Sequence, residues 1–127
     1  MTDNIVAVDF NGVKVLLDSN TALITLKGVS TLNNTVTMKD IRDATQYQVP
    51  TGKKAKVIYI TTMDAAQELI YADDLDGTTN SVELLDPDTN MSNKIIISAE
   101  IPADKYLNIT GGAASSYEVT IVEESAT

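Results

Sequence analysis

Cysteine, histidine and tryptophan are all absent from this chain of 127 residues. Without cysteine there is no disulfide framework, no thiol nucleophile, no thiolate zinc site and no iron–sulfur ligation. Without histidine there is no imidazole ligand for a metal, and the usual base of Ser-His-Asp and Cys-His relays is missing. The lack of tryptophan removes the best platform for stacking a sugar ring. Basic residues are scarce, 9 against 18 acidic ones, for a formal net charge of -9. Long-range attraction therefore works against nucleic-acid backbone and against anionic membranes. No run approaches the roughly 18 apolar residues of a membrane span. Met1-Thr2-Asp3-Asn4 lacks the basic region and apolar stretch of a secretion signal, which predicts synthesis in the cytoplasm without a leader. Carboxylates, lysines, tyrosines and hydroxyls remain as possible chemistry. No catalytic constellation stands out among them, so the expectation is a protein that is not an enzyme.

What the chain has in abundance is strand-forming residues. Valine, isoleucine and threonine supply 39 of the 127 residues, and branching at Cβ favours extended backbone. Several segments alternate with period two. Ala22, Ile24 and Leu26 oppose Thr21, Thr25 and Lys27; Ile95, Ile97, Ala99 and Ile101 oppose Lys94, Ser98 and Glu100; Tyr117, Val119 and Ile121 oppose Ser116, Glu118 and Thr120. Asn11-Gly12, between Ile5–Phe10 and Val13–Leu17, is the strongest hairpin signal, because both central positions of a tight turn favour positive φ. Asp18-Ser19-Asn20, Asn33-Asn34, Pro50–Gly52, Asp73–Asn80, Asp86–Asn93 and Gly111-Gly112 divide the remaining runs. Such spacing predicts an all-β domain over residues 1–127, a jelly-roll-like β-sandwich or barrel of about eight to ten antiparallel strands with at most one short helix. Residues 1–4 and 124–127 are expected as flexible tails. Met38–Thr45 is the candidate for a short helical turn, and Asp64–Ala72 fits either a helical stripe of Ala65, Leu69 and Ala72 or an alternation of Leu69 and Tyr71 against Glu68 and Ile70, with strand the favoured reading for Gln67–Ala72 because Asp73-Asp74 then ends a strand of ordinary length.

Charge is uneven along the chain, net +2 over residues 1–56 and -11 over residues 57–127. Aligned on Gly77 as the sixth position of a calcium loop, Asp74, Asp76 and Glu83 fall at ligand positions, although Ala72 stands at the first and no flanking helices are expected. Clustered acidic and small residues are also what solvated hairpin loops contain. Asp64, Glu68, Glu83 and Glu100 are the candidates for a carboxylate pair across a cleft. Asn33-Asn34-Thr35 and Asn108-Ile109-Thr110 match the glycosylation pattern, a short signal with little meaning in a chain without an export signal. The five tyrosines fall mostly in strand runs and read as packing residues.

Lys53, Lys54 and Lys56 form the basic cluster, with no aromatic series interleaved as a nucleic-acid groove requires. It runs into Val57-Ile58-Tyr59-Ile60. Strict alternation puts Val57 and Tyr59 on one face and Ile58 and Ile60 on the other, so both faces need cover. That cover comes either from another segment of the chain or from a neighbouring subunit. Lys53, Lys54, Lys56, Ile58 and Ile60 are therefore the candidate interface.

The phrases Val49–Ile60, Ile101–Ile109 and Ser116–Glu123, spread over residues 47–123, resemble small all-β virion proteins of tailed bacteriophages, such as head decoration proteins and jelly-roll modules of capsid or tail. The resemblance implies a virion structural protein made in the host cytoplasm. It would act as a trimer or related homo-oligomer that ties capsid or other virion proteins together, without cofactor, nucleic acid or membrane. The alternative is an adhesin-like or carbohydrate-binding β-sandwich whose loops are ordered by calcium.

Overall fold

The computed structural model describes residues 6–10, 13–17, 21–112 and 114–126. Among the described residues there are twelve strands and no helix, hence no helix long and apolar enough to cross a membrane. β1 (Val6–Phe10) and β2 (Val13–Leu17) pair antiparallel as a two-stranded sheet of their own, with Phe10 opposite Val13. The expected turn at Asn11-Gly12 and the tail at residues 1–4 lie outside the described residues.

The other ten strands build two antiparallel sheets packed as a sandwich. They are β3 (Ala22–Val29), β4 (Asn34–Thr37), β5 (Lys39–Asp40), β6 (Thr45–Gln46), β7 (Lys53–Met63), β8 (Gln67–Ala72), β9 (Val82–Leu85), β10 (Met91–Ile95), β11 (Tyr106–Gly111) and β12 (Ser116–Ser125). The larger sheet has the order β10-β7-β12-β3-β5-β6 and the smaller β4-β11-β8-β9. Alternation decides which residues meet between them. Ile24, Leu26, Val119 and Ile121 from the larger sheet pack against Leu69, Leu107 and Ile109 from the smaller, all essentially without exposure. Fully burying an aliphatic side chain of this size contributes about 1.5–3 kcal/mol, so this seam dominates the fold.

The two sheets are tied at their ends. Met38, fully buried, lies where the chain passes from β4 in one sheet to β5 in the other, its N–H donating to Leu107 O at 2.9 Å and its carbonyl accepting from Tyr47 N at 2.8 Å. At another corner the buried Gln67 amide donates to Ser30 Oγ and Ser115 O, both at 2.9 Å, and accepts from Asp64 N at 2.8 Å. A buried amide satisfied on both of its ends fixes a corner without the cost of an orphaned polar group.

In four places the structure differs from simple alternation. The Met38–Thr45 segment is a β5–β6 hairpin rather than a helix. A single i to i+4 bond, Ala44 N to Asp40 O at 2.8 Å, closes its turn, and Ala44 adopts a left-handed φ of 58°. The Asp40 carboxylate accepts from Arg42 N and from the Arg42 guanidinium, which stops helical propagation. β12 runs on to Ser125, two residues past Glu123, because Glu124 and Ser125 pair with Lys54 and Lys53.

The third difference lies in β7. Its register against β12 slips twice, skipping Ile58 and Thr61, and each extra residue reverses the faces that follow. Val57 and Ile60 therefore both enter the core, while Ile58 and Tyr59 together turn to the opposite face, where they cluster with Leu23 and Val122. The fourth is the segment expected as Lys94–Ile101. Here regular pairing of β10 ends at Ile95, and beyond it the chain stays on β7 in an irregular register, with Ile96 N donating to Ile58 O and Ser98 N to Val57 O, both at 3.0 Å, and Ser98 Oγ accepting from Val57 N at 2.9 Å. Ile96 and Ile101 pack inward, whereas Ile95 and Ile97 are 46% and 71% exposed.

Candidate functional site

Asp73–Asn80, after β8, folds back on the outer face of the smaller sheet. Gly77 has φ +71°, and a Cβ there would stand 2.6 Å from Thr35 Cγ2 and 3.1 Å from Ile70 Cδ1, so only glycine permits the approach. The Leu75 carbonyl accepts from Thr37 Oγ1 at 2.7 Å and from Asn108 Nδ2 at 3.1 Å, while the fully buried Asn108 Oδ1 has no partner. Burial removes Asn108 as a glycan acceptor. The Asp74 carboxylate is turned onto its own loop, accepting from the Thr78 hydroxyl at 2.6 Å and from the Thr78 and Thr79 N–H groups at 2.9 and 3.0 Å. Those bonds, the hydroxyl first, hold its pKa below the usual carboxylate range. Asp73 is held low in the same way, by the Lys105 ammonium first and then by Asn80.

The expected calcium set of Asp74, Asp76 and Glu83 is therefore not assembled. Glu83 is drawn instead to Glu68 and Asp86, and the carboxylate oxygens of these three lie within 4.8 Å of one another, the one such group among the described residues. A bulge in the β8–β9 pairing, with Leu69 opposite Leu85 and Ile70 opposite Glu83, brings β9 to this register. Partial burial, then the hydrogen bond and charge of Glu83, then the charge of Asp86, push the Glu68 pKa up. Three hard oxygen donors suit a calcium or magnesium ion in kind. Beside them a cleft of about 390 Å³ is lined by Asn33, Ala66, Thr110, Gly111 and Gly112 as well as Glu68 and Asp86. Of the other two acids considered for a catalytic pair, Asp64 accepts from Ala66 N at 2.8 Å, and Glu100 pairs with lysine.

Of the lysine cluster, Lys54 and Lys56 stand on the outer face of the larger sheet. Lys54 lies 3.2 Å from Glu100 and 3.9 Å from Glu124, and Lys56 lies 3.9 Å from Glu100. Lys53 and Lys54 stand opposite Ser125 and Glu124 on β12. The acidic second half of the chain thus meets the basic first half inside one molecule. Lys54, Lys56 and Ile58 share this outer face. Ile60, the last member of the expected interface, is fully buried in the core and offers nothing to a second chain.

Sequence reasoning missed the free edge of that sheet. β10 pairs with β7 on one side, and beside it Leu85, Pro87, Met91, Lys94, Ile95 and Ile96 line a shallow groove of about 370 Å³. With Ile95 and Ile97 exposed on the same segment, this is an apolar edge of the kind that natural sheets cover or blunt. Ile95 stands opposite Tyr59, which the β7 bulge turns to the outer face, and Ile97 follows it by alternation, so a bulge in the neighbouring strand, invisible to period-two reading, exposes both isoleucines. Another cleft, of about 450 Å³ and lined by Gly28, Val36, Thr37, Lys39, Gln46 and Tyr117 among others, lies where Tyr117 crosses Gly28.

No protein-family model, curated protein or solved structure matches this chain.

Proposed function

We propose that this chain is a non-catalytic virion structural protein, a capsid decoration protein that works as a symmetric homo-oligomer on a jelly-roll-like sandwich. The observation that carries this reading is β10, an edge strand among the described residues, with Ile95 and the following Ile97 exposed beside the Leu85–Pro87–Met91 groove. A monomer showing this edge to water is prone to edge-to-edge association. A second copy seated on it satisfies the free backbone groups and buries both isoleucines. Closed symmetry is the usual form of such self-association. Binding energy spread over many copies then gives tight attachment to a repeating shell without one strong site. The resemblance of Val49–Ile60, Ile101–Ile109 and Ser116–Glu123 to turn-strand phrases of small phage virion proteins favours the same role.

Sedimentation equilibrium of the full chain, followed by cryo-electron microscopy of purified particles, tests the proposal. The expected result is a defined oligomer that Ile97→Glu converts to monomer, and a regular array on the particle surface. A concentration-independent monomer that is absent from purified particles overturns it. The second reading, carbohydrate binding with calcium, draws on the Glu68–Glu83–Asp86 group, and binding on a glycan array would favour it.

A further inference from the structure

The outer face of the larger sheet holds an apolar centre between two polar margins. At one margin stand Lys54 and Lys56 with Glu100 and Glu124, and at the other Lys27 with Glu118 at 3.6 Å. Between them lie Ile58 and Tyr59, with Leu23 and Val122 from β3 and β12. Ile58 and Tyr59 are only 4% and 5% exposed, although this face points away from the smaller sheet that covers the core side. The described members of the cluster all belong to the larger sheet itself. Neighbours within one sheet cannot close its surface to water, and a face this dry requires another layer over it.

The β1–β2 hairpin has the complementary need. Its register pairs Val6 with Leu17, Val8 with Val15 and Phe10 with Val13, and alternation places these six apolar residues at the positions of one face. The other face receives Ala7 opposite Leu16 and Asp9 opposite Lys14. A lone two-stranded hairpin is marginal in water, and among the described residues this one joins neither larger sheet by strand pairing. Only five residues separate Leu17 from Leu23, itself a member of the outer cluster. Six residue steps reach at most about 20 Å, enough for the roughly 10 Å between packed sheets but short for a crossing to a distant subunit.

We propose that the β1–β2 hairpin is the third layer of this protein, docked in cis with the Val6–Val8–Phe10 face over Ile58, Tyr59, Leu23 and Val122. Ile95, opposite Tyr59 on β10, marks the margin where this cover ends and the free edge begins.

The test is NMR on the full chain, with an equal mixture of isotope-labelled and unlabelled protein at a concentration where sedimentation shows one species. Nuclear Overhauser contacts between the Tyr59 ring and the Val6 and Val8 methyls within labelled molecules, with slowed amide exchange over Val6–Leu17, are the expected result. Contacts seen only between labelled and unlabelled copies overturn the cis assignment in favour of arm exchange. Free amide exchange along the hairpin, with no contact to Tyr59, overturns docking altogether. As a second measurement, Val8→Asp with Phe10→Asp should expose the cluster and raise binding of a hydrophobic dye several-fold. Unchanged dye binding with the fold intact counts equally against the proposal.

Discussion

Replacing Gly28 by alanine probes the packing at the end of the larger sheet with a single methyl group. Gly28 stands opposite Tyr117 in the β3–β12 ladder, and the tyrosine ring lies across the glycine. A Cβ at position 28 would come within 2.7 Å of the Tyr117 hydroxyl and 3.1 Å of the ring carbon that bears it. The first distance is shorter than a methyl tolerates and the second is tight, so the ring must move. It is 2% exposed, and its hydroxyl accepts from Lys39 N at 3.0 Å, so movement also strains the approach of β5. Overpacking of this kind costs about 1–3 kcal/mol, and the lost hydrogen bond adds about 1 kcal/mol. Stiffening of the unfolded chain offsets about 0.4–1 kcal/mol, since alanine has fewer unfolded conformations than glycine. The net expectation is a destabilisation of about 1–3 kcal/mol. With an unfolding entropy of about 2.1 cal/mol/K per residue, that is a fall in Tm of about 4–11 °C. Differential scanning calorimetry and urea unfolding measure it directly. Tyr117→Phe removes the nearest obstructing atom, so the double variant should lose less stability than the two single variants summed, by about 1 kcal/mol. A Gly28→Ala protein as stable as its parent, or additive behaviour in the double variant, would refute the crossing of Tyr117 over Gly28.

Two further perturbations follow from the same geometry. Glu68 has a raised pKa in the fold, so the stability it confers is complete below its unfolded value near 4.5 and is lost as pH rises through the folded value. Glu68→Gln should therefore melt higher than the parent at pH 7, by about 0.2–1 kcal/mol as expected for a relieved like-charge pair across strands. The gain should fade below about pH 4.5, and a gain of equal size at pH 4 and pH 7 would rule out the repulsion. Ala44→Gly should stabilise by about 1 kcal/mol, because Ala44 holds a left-handed φ that an L-residue enters at a cost of about 1–2 kcal/mol. Thermal melts of the two proteins decide it, and an unchanged or lowered Tm would contradict the strained turn.

Much of the fold is legible in the sequence where a strand obeys strict alternation between clear turns. Gln67–Ala72 begins and ends where Asp64 and Asp73 punctuate it, and Ile24, Leu26, Tyr117, Val119 and Ile121 all enter the core as their spacing requires. Legibility fails where one extra residue changes the parity. The skipped Ile58 and Thr61 swap the roles of Tyr59 and Ile60, and no local property of Val57-Ile58-Tyr59-Ile60 announces a bulge. Ser98 is a similar case, since its hydroxyl accepts from Val57 N only once β7 is beside it. Of the acidic group, Glu68 and Glu83 both stand among the acids named from sequence as a possible pair, but nothing local joins them to each other or to Asp86. Glu68 lies on β8 and Glu83 and Asp86 lie on and just after β9, so it is the β9 register that brings them together. Asp74 and Asp76 fit the spacing of a calcium loop aligned on Gly77, yet loop closure uses the Asp74 carboxylate itself.

β12 lies between β7 and β3 at the middle of the larger sheet, although of the strands in that sheet it comes last in chain order. On the ribosome, β3 and β7 must therefore wait with both of their inner edges open until residues 116–125 have emerged. The sheet cannot form progressively from its first strands. It closes in one late event that joins segments nearly a hundred residues apart, and contacts of such long separation fold slowly. Until then the apolar sides of β3 and β7 are available to chaperones and to other nascent chains. A cell making many copies at once has its main risk of misassembly in that interval, before any finished surface exists to select a partner.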